Sequence, residues 1–481
     1  MHPEPSRSLE EARRLDAEGK REEALAVYEE LLREHSDCTE GWSEMAGLLL
    51  VFGRFEEAGD ACARALRIDP RHYGALVHSA CVHMHLGSLA ESEDLFMDAL
   101  AVDPGRIAGR LLYSDCLVRK ARLDDARELL EKILQQEPGN GFALDRLNTL
   151  LVLEEDWPGL RRDMERQLAR FTGPEAEYVA SHLDLLFGDM PHGWERFEAR
   201  LEIPERIAAR PAFPQPRWRG QPFPDRTLLL TWEQGYGDSL MFLRYAPMVK
   251  SLGGTVLLEI QPPLAELASS CAGIDFVIPA GNALPDFDLH ASLLSLPALF
   301  GTRLESIPGE TPYLDIPADV PNRLEIDAAL AASAGKVRIG MCWAGNIKYP
   351  RDAKRSLPPA ALAPLGNLPH VAWHSFQFEA SEQPPLPGII ALGPLLKGFP
   401  NTAYALAGMD LVITVDTVLS HLAGALGIPT FLLLSFIPDW RWMMGRETSP
   451  WYPSHRLYRQ RFPGDWSTVI DQMVQDLSEG G

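Results

Sequence analysis

From residue 5 to about 140, apolar positions recur at helical spacing, in blocks that themselves repeat. Pro70, Pro104 and Pro138 lie 34 residues apart, as do Gly19, Gly53 and Gly87. Ala24, Ala58 and Ala126 share one register, with Ser92 in the gap, and Tyr28, Cys62, Phe96 and Leu130 share another. A small residue lets two antiparallel helices approach closely, a larger one fills the next gap, and proline ends the second helix. Four such units run from about 5 to 140. A weaker fifth passes through Trp157, and LLFGDMPHGWERFEARL (185–201) adds a further helical unit with Gly188 where a repeat glycine would stand. This pattern predicts a helical array over 1–201.

The pattern then changes twice. Residues 202–226 carry six prolines and no periodicity, which predicts an ordered or semi-rigid linker. Beyond it, short apolar runs alternate with helices, as in α/β layers. TLLLTW (227–232), TVLLEI (255–260), DFVIPA (275–280) and DLHASL (288–293) read as one series of strands, with a helix from about Ser239 to Leu252. VRIGMCWAG (337–345), HVAWHSFQ (370–377), DLVITVD (410–416) and TFLLLSF (430–436) read as a second, closed by a helix at about 466–478. Two consecutive Rossmann-like halves predict two lobes, 227–318 and 319–481, with a cleft between them.

Ligands of open α/β sheets bind beyond the carboxyl ends of the strands. The loop after 232 reads EQGYGDS, in which Gly235 and Gly237 allow a tight strand-to-helix turn and Asp238 can cap the helix. It lacks the third glycine of a dinucleotide fingerprint, whose place Leu240 takes. The loop after 345 holds Lys348, Arg351, Lys354 and Arg355, which read equally as a solvated loop or an anion clamp. After strand DLVITV, Asp416 ends the strand, Thr417 caps the next helix, and His421 lies one turn along the same face. The free amides and dipole of that helix suit a phosphate. A packed core histidine is the competing reading of His421. Gln234, Asn346, Gln377, Asp439 and Arg441 sit at other strand ends as candidate contacts, and Trp440 and Trp442 read first as packing.

Composition narrows the classes. The formal charge is −22, and residues 1–200 hold 40 acids against 24 bases, which argues against a protein that tracks a nucleic-acid backbone. Six cysteines stand singly without a CxxC pair, as in a reduced cytoplasmic protein without a metal-site signature. No apolar run reaches the roughly 18 residues of a membrane span, and the polar opening MHPEPSRSLEEARR lacks the core of a secretory signal.

Two resemblances sharpen the picture. The period-34 pattern resembles the tetratricopeptide repeat (TPR), whose concave face binds peptides or proteins. VDTVLSHLAGALGIP (415–429) is similar to the donor-binding motif of heptosyltransferases and their relatives in glycosyltransferase family 9, which adopt the two-lobed GT-B fold. Gly237-Asp238 resembles that family's glycine-aspartate turn, which supplies the catalytic carboxylate, and Lys354-Arg355 before Pro358 resembles its phosphate-binding pair. Val418 stands where the family often has glycine. The arrangement of array, proline-rich linker, PDWRW (438–442), SPWYP (449–453) and PGDW (463–466) resembles bacterial TPR-containing glycosyltransferases, some of which modify proteins such as flagellin.

The resemblance implies an α-solenoid followed by a GT-B domain with an acceptor lobe at 227–318 and a nucleotide-sugar lobe at 319–481. It implies a hexosyl- or heptosyltransferase-like enzyme that inverts configuration without metal or cofactor, takes a nucleotide sugar as substrate, and draws its acceptor protein to the repeats. Asp238 would be the base, and Lys354, Arg355, Asp416, Thr417, Val418 and His421 would hold the donor. Two alternatives stand beside this reading: a non-catalytic TPR scaffold with a vestigial sugar-nucleotide domain, and a transferase of glycan or lipopolysaccharide assembly.

Overall fold

A computed structural model describes residues 5–137, 140–169, 171–204, 213–345, 352–378, 386 and 388–479. The chain divides into two compact units, Met1–Glu154 and Glu155–Gly481. Among the described residues no helix is long and apolar enough to cross a membrane.

The first unit is a succession of helical hairpins. Its helices are α1 (Pro5–Ala17), α2 (Arg21–Glu34), α3 (Thr39–Val51), α4 (Phe55–Ile68), α5 (Tyr73–His85), α6 (Leu89–Val102), α7 (Ile107–Arg119), α8 (Leu123–Gln136) and α9 (Gly141–Leu153). The registers seen in the sequence are its packing rule. Ala24, Ala58, Ser92 and Ala126 are completely buried, and Tyr28, Cys62, Phe96 and Leu130 are nearly or fully so. Ser92 fits among alanines because its hydroxyl donates to the Ala80 carbonyl at 2.8 Å. Each hairpin turn needs a left-handed residue, supplied by Gly19, Gly53 and Gly87 and then, at some strain, by Ala121 with φ 58°.

The second unit opens with α10 (Trp157–Leu168), α11 (Pro174–Leu186) and α12 (Met190–Phe197). Two parallel sheets follow. The first holds β1 (Thr227–Thr231), β2 (Thr255–Ile260), β3 (Phe276–Pro279) and β4 (Leu289–Ser292) in the order β3-β2-β1-β4. The second holds β5 (Val337–Cys342), β6 (Val371–Ser375), β7 (Ile390–Ala391), β8 (Leu411–Val415), β9 (Thr430–Leu434) and β10 (His455–Arg459), in the order β10-β9-β8-β5-β6-β7. Strand order reverses between β1 and β4 in one sheet and between β5 and β8 in the other. These reversals are where open α/β sheets leave a crevice for ligands. Four helices complete the frame used below: α13 (Tyr236–Phe242), α14 (Asp352–Arg355), α15 (Val418–Ala425) and the closing α16 (Ser467–Glu479).

Two features depart from the sequence reading. The helix expected from Ser239 begins at Tyr236 and breaks into a tight turn at Leu243–Tyr245 before a short helix, Ala246–Lys250. β7 and β10 extend the second sheet beyond the expected strands. In the proline-rich stretch, residues 205–212 lie outside the described residues, but Trp218 and Phe223 are buried and the Trp218 amide bonds the His290 carbonyl of β4 at 2.8 Å. Proline excludes a regular element there without excluding burial.

The unit division also falls at 154–155 rather than after 201, because α11 and α12 bury their aromatic faces in the α/β region. Trp194 packs edge-on against Trp440 and Trp451, with ring centroids 5.4 and 6.1 Å apart. Past α12, Arg200 is fully buried and pairs with Glu233 at 3.1 Å and with Glu198 at 2.5 Å, and donates to Ser295 at 2.8 Å. Glu233 directly follows the β1 loop's first residue, so this network ties the helices to the first lobe. The Met444 amide bonds the Leu186 carbonyl at 3.1 Å and ties them to the second.

The two lobes meet along a buried seam. Arg244 donates to the carbonyls of Met241 and Trp451 at 2.8 and 2.5 Å and lies 4.7 Å over the Tyr452 ring. His421, Trp442 and His455 stack in sequence, at 5.4 and 6.2 Å between centroids. Burial drives His421 well below the ordinary imidazole range, helped by the Arg441 charge. It lowers His455 to about 3, opposed by the Ser420 carbonyl to which the ring donates at 3.0 Å.

Two outcomes follow from these buried charges and rings. Truncating Arg200 strands Glu233 in a dry site, so Arg200→Ala should lower the unfolding free energy by about 3–5 kcal/mol in urea titration; a loss below about 1 kcal/mol would show the network is solvated. The histidines bind protons when unfolded but not when folded, so their stabilisation is full above about pH 6.5 and declines as pH falls toward their folded values. Each should contribute a slope of about 1.4 kcal/mol per pH unit below about 6.5. Urea titrations from pH 7 to 5 should show His455→Asn with a slope shallower by about that amount.

Candidate functional site

The site grows from the two strand-order reversals. β1 ends at Thr231, and Gln234, at φ 68°, turns the chain into α13 with Gly235 at its N-cap. Asp238 is the third helical residue. One carboxylate oxygen accepts the Gly235 amide at 2.9 Å, which satisfies an otherwise orphaned donor of the first turn. The other oxygen pairs with Arg441. Capping and a charged contact across the seam are therefore both present in one side chain.

The loop that carries Asp238 is braced from several directions. Gln234 donates to the Tyr178 hydroxyl of α11 at 3.1 Å, and Glu233 is held by Arg200 and by Ser292 at 2.8 Å. Ser239 donates to Gln261 at 2.7 Å. Gly237 leaves room for His421: a Cβ there would stand 2.6 Å from the imidazole Cδ2. The starts of α13 and α15 thus touch.

On the second lobe, Thr417 caps α15 in an extended conformation, its hydroxyl accepting the Leu419 amide at 3.3 Å. Val418 opens the helix, half-buried. His421 is held by the Tyr452 hydroxyl at 2.9 Å and by the Trp442 stack, so it is a packed, uncharged core histidine. Arg355, on α14, donates to the Asp416 carbonyl at 2.6 Å and to Asp352 at 2.9 Å, which places a guanidinium beside the N-terminus of α15. Lys354 is exposed on the same short helix. Asn346, Lys348 and Arg351 lie outside the described residues.

Asp439 and Arg441 close the arrangement. Asp439 caps the turn Trp440–Trp442 by accepting the Arg441 amide at 3.1 Å, and its carboxylate pairs with the Arg441 guanidinium at 2.6 Å. Burial raises the Asp416 carboxyl above the usual range, reinforced by the Asp439 charge and opposed by Arg441. The Arg441 pair holds Asp439 low in spite of its burial. Trp440 and Trp442 are buried packing residues. Gln377 spends its side-chain amide on the Ala344 backbone, with both contacts at 3.1 Å, and braces the exit of β5.

The geometry therefore brings Asp238, Asp416, Thr417, His421, Asp439, Arg441 and Arg355 together, and leaves Gln377 in a supporting role. Sequence reasoning passed over Tyr178, Arg200, Glu233, Arg244 and Tyr452. For Arg244 the signal was present, a single cation in the apolar run LMFLRYAP. Tyr452 lies in SPWYP, noted only as part of a wider resemblance.

Comparison with known proteins identifies the first unit. Residues 9–73 and 83–147 match two tetratricopeptide-repeat family models. Over 332 residues the chain is 26% identical to Protein FlbA of Caulobacter vibrioides, covering 63% of this chain and 55% of that protein. Over 147 residues it is 31% identical to the Protein CTR9 homolog of Arabidopsis thaliana, covering 29% of this chain and 14% of that one. The chain thus spans about half the length of the first relative and a small part of the second. Solved structures similar to it include a tetratricopeptide repeat protein from Parabacteroides merdae (16% identity, TM-score 0.33, covering 42% of this chain and 78% of that one). PilW, a type IV pilus biogenesis factor, is another (16% identity, TM-score 0.35, covering 44% and 99%). The N-terminal part of the chain is an array of tetratricopeptide repeats followed by a parallel-sheet α/β region.

Proposed function

We propose that this chain is a GT-B glycosyltransferase that moves a sugar from a nucleotide-sugar donor to an acceptor, most simply a protein, recruited by the repeat array. The observation that carries this reading is the contact between two helix starts at the two strand-order reversals. One presents the Asp238 carboxylate and the other the N-terminus of α15 beside Arg355. The array supports the recruitment half, because repeats of this kind present an extended concave surface to partners.

In this reading the acceptor hydroxyl gives its proton to Asp238 as its oxygen bonds to the anomeric carbon. The bond from that carbon to the phosphate oxygen breaks on the opposite face, and the electron pair leaves with the nucleoside diphosphate. Lys354, Arg355 and the first-turn amides of α15 meet the charge that develops, the role a metal ion fills in other designs. Configuration is inverted by the single displacement.

A non-catalytic scaffold is the second reading, and the engagement of Asp238 with Arg441 favours it, since the pairing gives that carboxylate a structural role without any substrate. Thermal-shift screening against nucleotide sugars separates the two. A ligand at a hundred times its Kd should add about 2.7 kcal/mol of stability, whereas a chain that neither binds nor hydrolyses any of them is a scaffold. Intact-mass analysis of co-expressed proteins then tests the acceptor, and activity confined to a lipid-linked sugar would point to glycan assembly.

With a donor in hand, Asp238→Asn should remain folded, because the amide oxygen still accepts the Gly235 amide, and should lose about 10²–10⁴-fold in turnover. Near-parental turnover would reduce Asp238 to a cap. Lys354→Ala and Arg355→Ala should each weaken donor binding by roughly ten- to a hundredfold in calorimetry. Unchanged affinity in both would move the phosphate site elsewhere.

A further inference from the structure

The chemistry proposed above leaves Arg441 without a role, although it stands at the centre of the site. Two carboxylates pair with it, Asp238 from α13 and Asp439 from its own turn, and the charge of Asp416, just past β8, reaches it through space. Its guanidinium donates from one terminal nitrogen to Asp439 at 2.6 Å and from the other to Asp238, while its plane covers the Trp440 ring at 4.2 Å. Only 12% of the side chain is exposed. Of the other charged or titratable groups nearby, Arg355 binds the Asp416 carbonyl, His421 is uncharged, and His182 of α11 packs against Trp440 at 6.4 Å.

A guanidinium with both terminal nitrogens on carboxylates and one face on an indole has its charge already matched. A phosphate could reach it only by breaking a pair that has been taken out of water. Resting on the glycosyltransferase reading, we propose that Arg441 is the shared counter-ion of Asp238 and Asp439 and positions Asp238 across the seam, and is not a ligand of the donor phosphates. Arg441 fixes one oxygen of Asp238, and the Gly235 amide fixes the other at 2.9 Å. A carboxylate oxygen accepts two hydrogen bonds, so each keeps a place for a hydroxyl while the plane of the group stays fixed. The pairing joins residues 203 positions apart in the chain and so also locks the register of the lobes.

The two roles differ in what they predict for Asp238→Asn and for the double variant. If Arg441 is the counter-ion, removing the Asp238 charge leaves Arg441 paired with Asp439 and makes the surroundings of α15 less negative by one charge. Inorganic pyrophosphate is the probe, titrated calorimetrically into the full-length chain, Asp238→Asn, Arg441→Gln and the double variant. Asp238→Asn should bind it about three- to tenfold tighter and Arg441→Gln about three- to tenfold weaker, with the double variant within about twofold of the parent. Asp238→Asn unchanged, with Arg441→Gln and the double variant both weaker by more than about tenfold, would make Arg441 a phosphate ligand and overturn the proposal. Binding by none of the four would remove the phosphate site itself, and the counter-ion role then stands on the melting temperatures of the same proteins. There the double variant should lose clearly less than the sum of the single losses; additive losses would sink it.

Discussion

The contact between Gly237 and His421 sets the geometry of the second unit. A side chain at 237 would collide with the imidazole, and one at Gly424 would stand 2.2 Å from the Tyr452 ring. With Gly237 bare, α13 and α15 close to contact, with Gly424 bare α15 also seats against Tyr452, and the neighbouring residues are placed by that packing. Asp238 comes next in the chain after Gly237, and Thr417 stands one turn before His421. The imidazole must be uncharged for this seam to be dry, and its burial ensures that. The candidate site is thus a consequence of how two apolar helices pack, with polar residues carried on their first turns.

The helices α11 and α12 act on the same geometry from outside. Their aromatic residues join Trp440 and Trp451 in one cluster, and Arg200 beyond them holds Glu233, one residue before Gln234. The loop that carries Asp238 is therefore gripped by the helical segment as well as by both lobes. A buried ion pair contributes little net stability, but removing either partner is costly. Its value here is positional: it fixes where the β1 loop leaves the sheet.

Much of this architecture was legible in the sequence, for identifiable reasons. The repeat register was legible because each hairpin packs mainly on its neighbours, so a 34-residue period in small and large residues is the packing rule itself. The strands β1, β2, β5, β6, β8 and β9 were legible as apolar runs because parallel strands are covered on both faces. β10 was not, since HRLYR at a sheet edge alternates with charge, and the two-residue β7 is too short to leave a pattern. That the first compact unit ends at 154 was not readable, because α11 and α12 keep the repeat's spacing while turning their aromatic faces toward another partner. In the site, Asp238, Thr417, His421 and Arg441 were each singled out from local context. Their joining was not readable, because a pair 203 residues apart leaves no periodic trace.

The charge balance of the site bears on whether such a cleft suits an anion at all. Three carboxylates near one helix start look hostile to phosphate. Asp439 and Asp238 both pair with Arg441, which offsets one of their two charges, and burial raises the Asp416 carboxyl to about 6. Against them stand the α15 N-terminus, exposed Lys354, and Arg355, which itself pairs with Asp352 at 2.9 Å. In a partly buried site these are screened less than on an open surface. In the proposed reading an anion therefore depends on the α15 N-terminus and Lys354. The acids hold Arg441 in place, so that in this reading the cation that orients Asp238 is distinct from those at the start of α15.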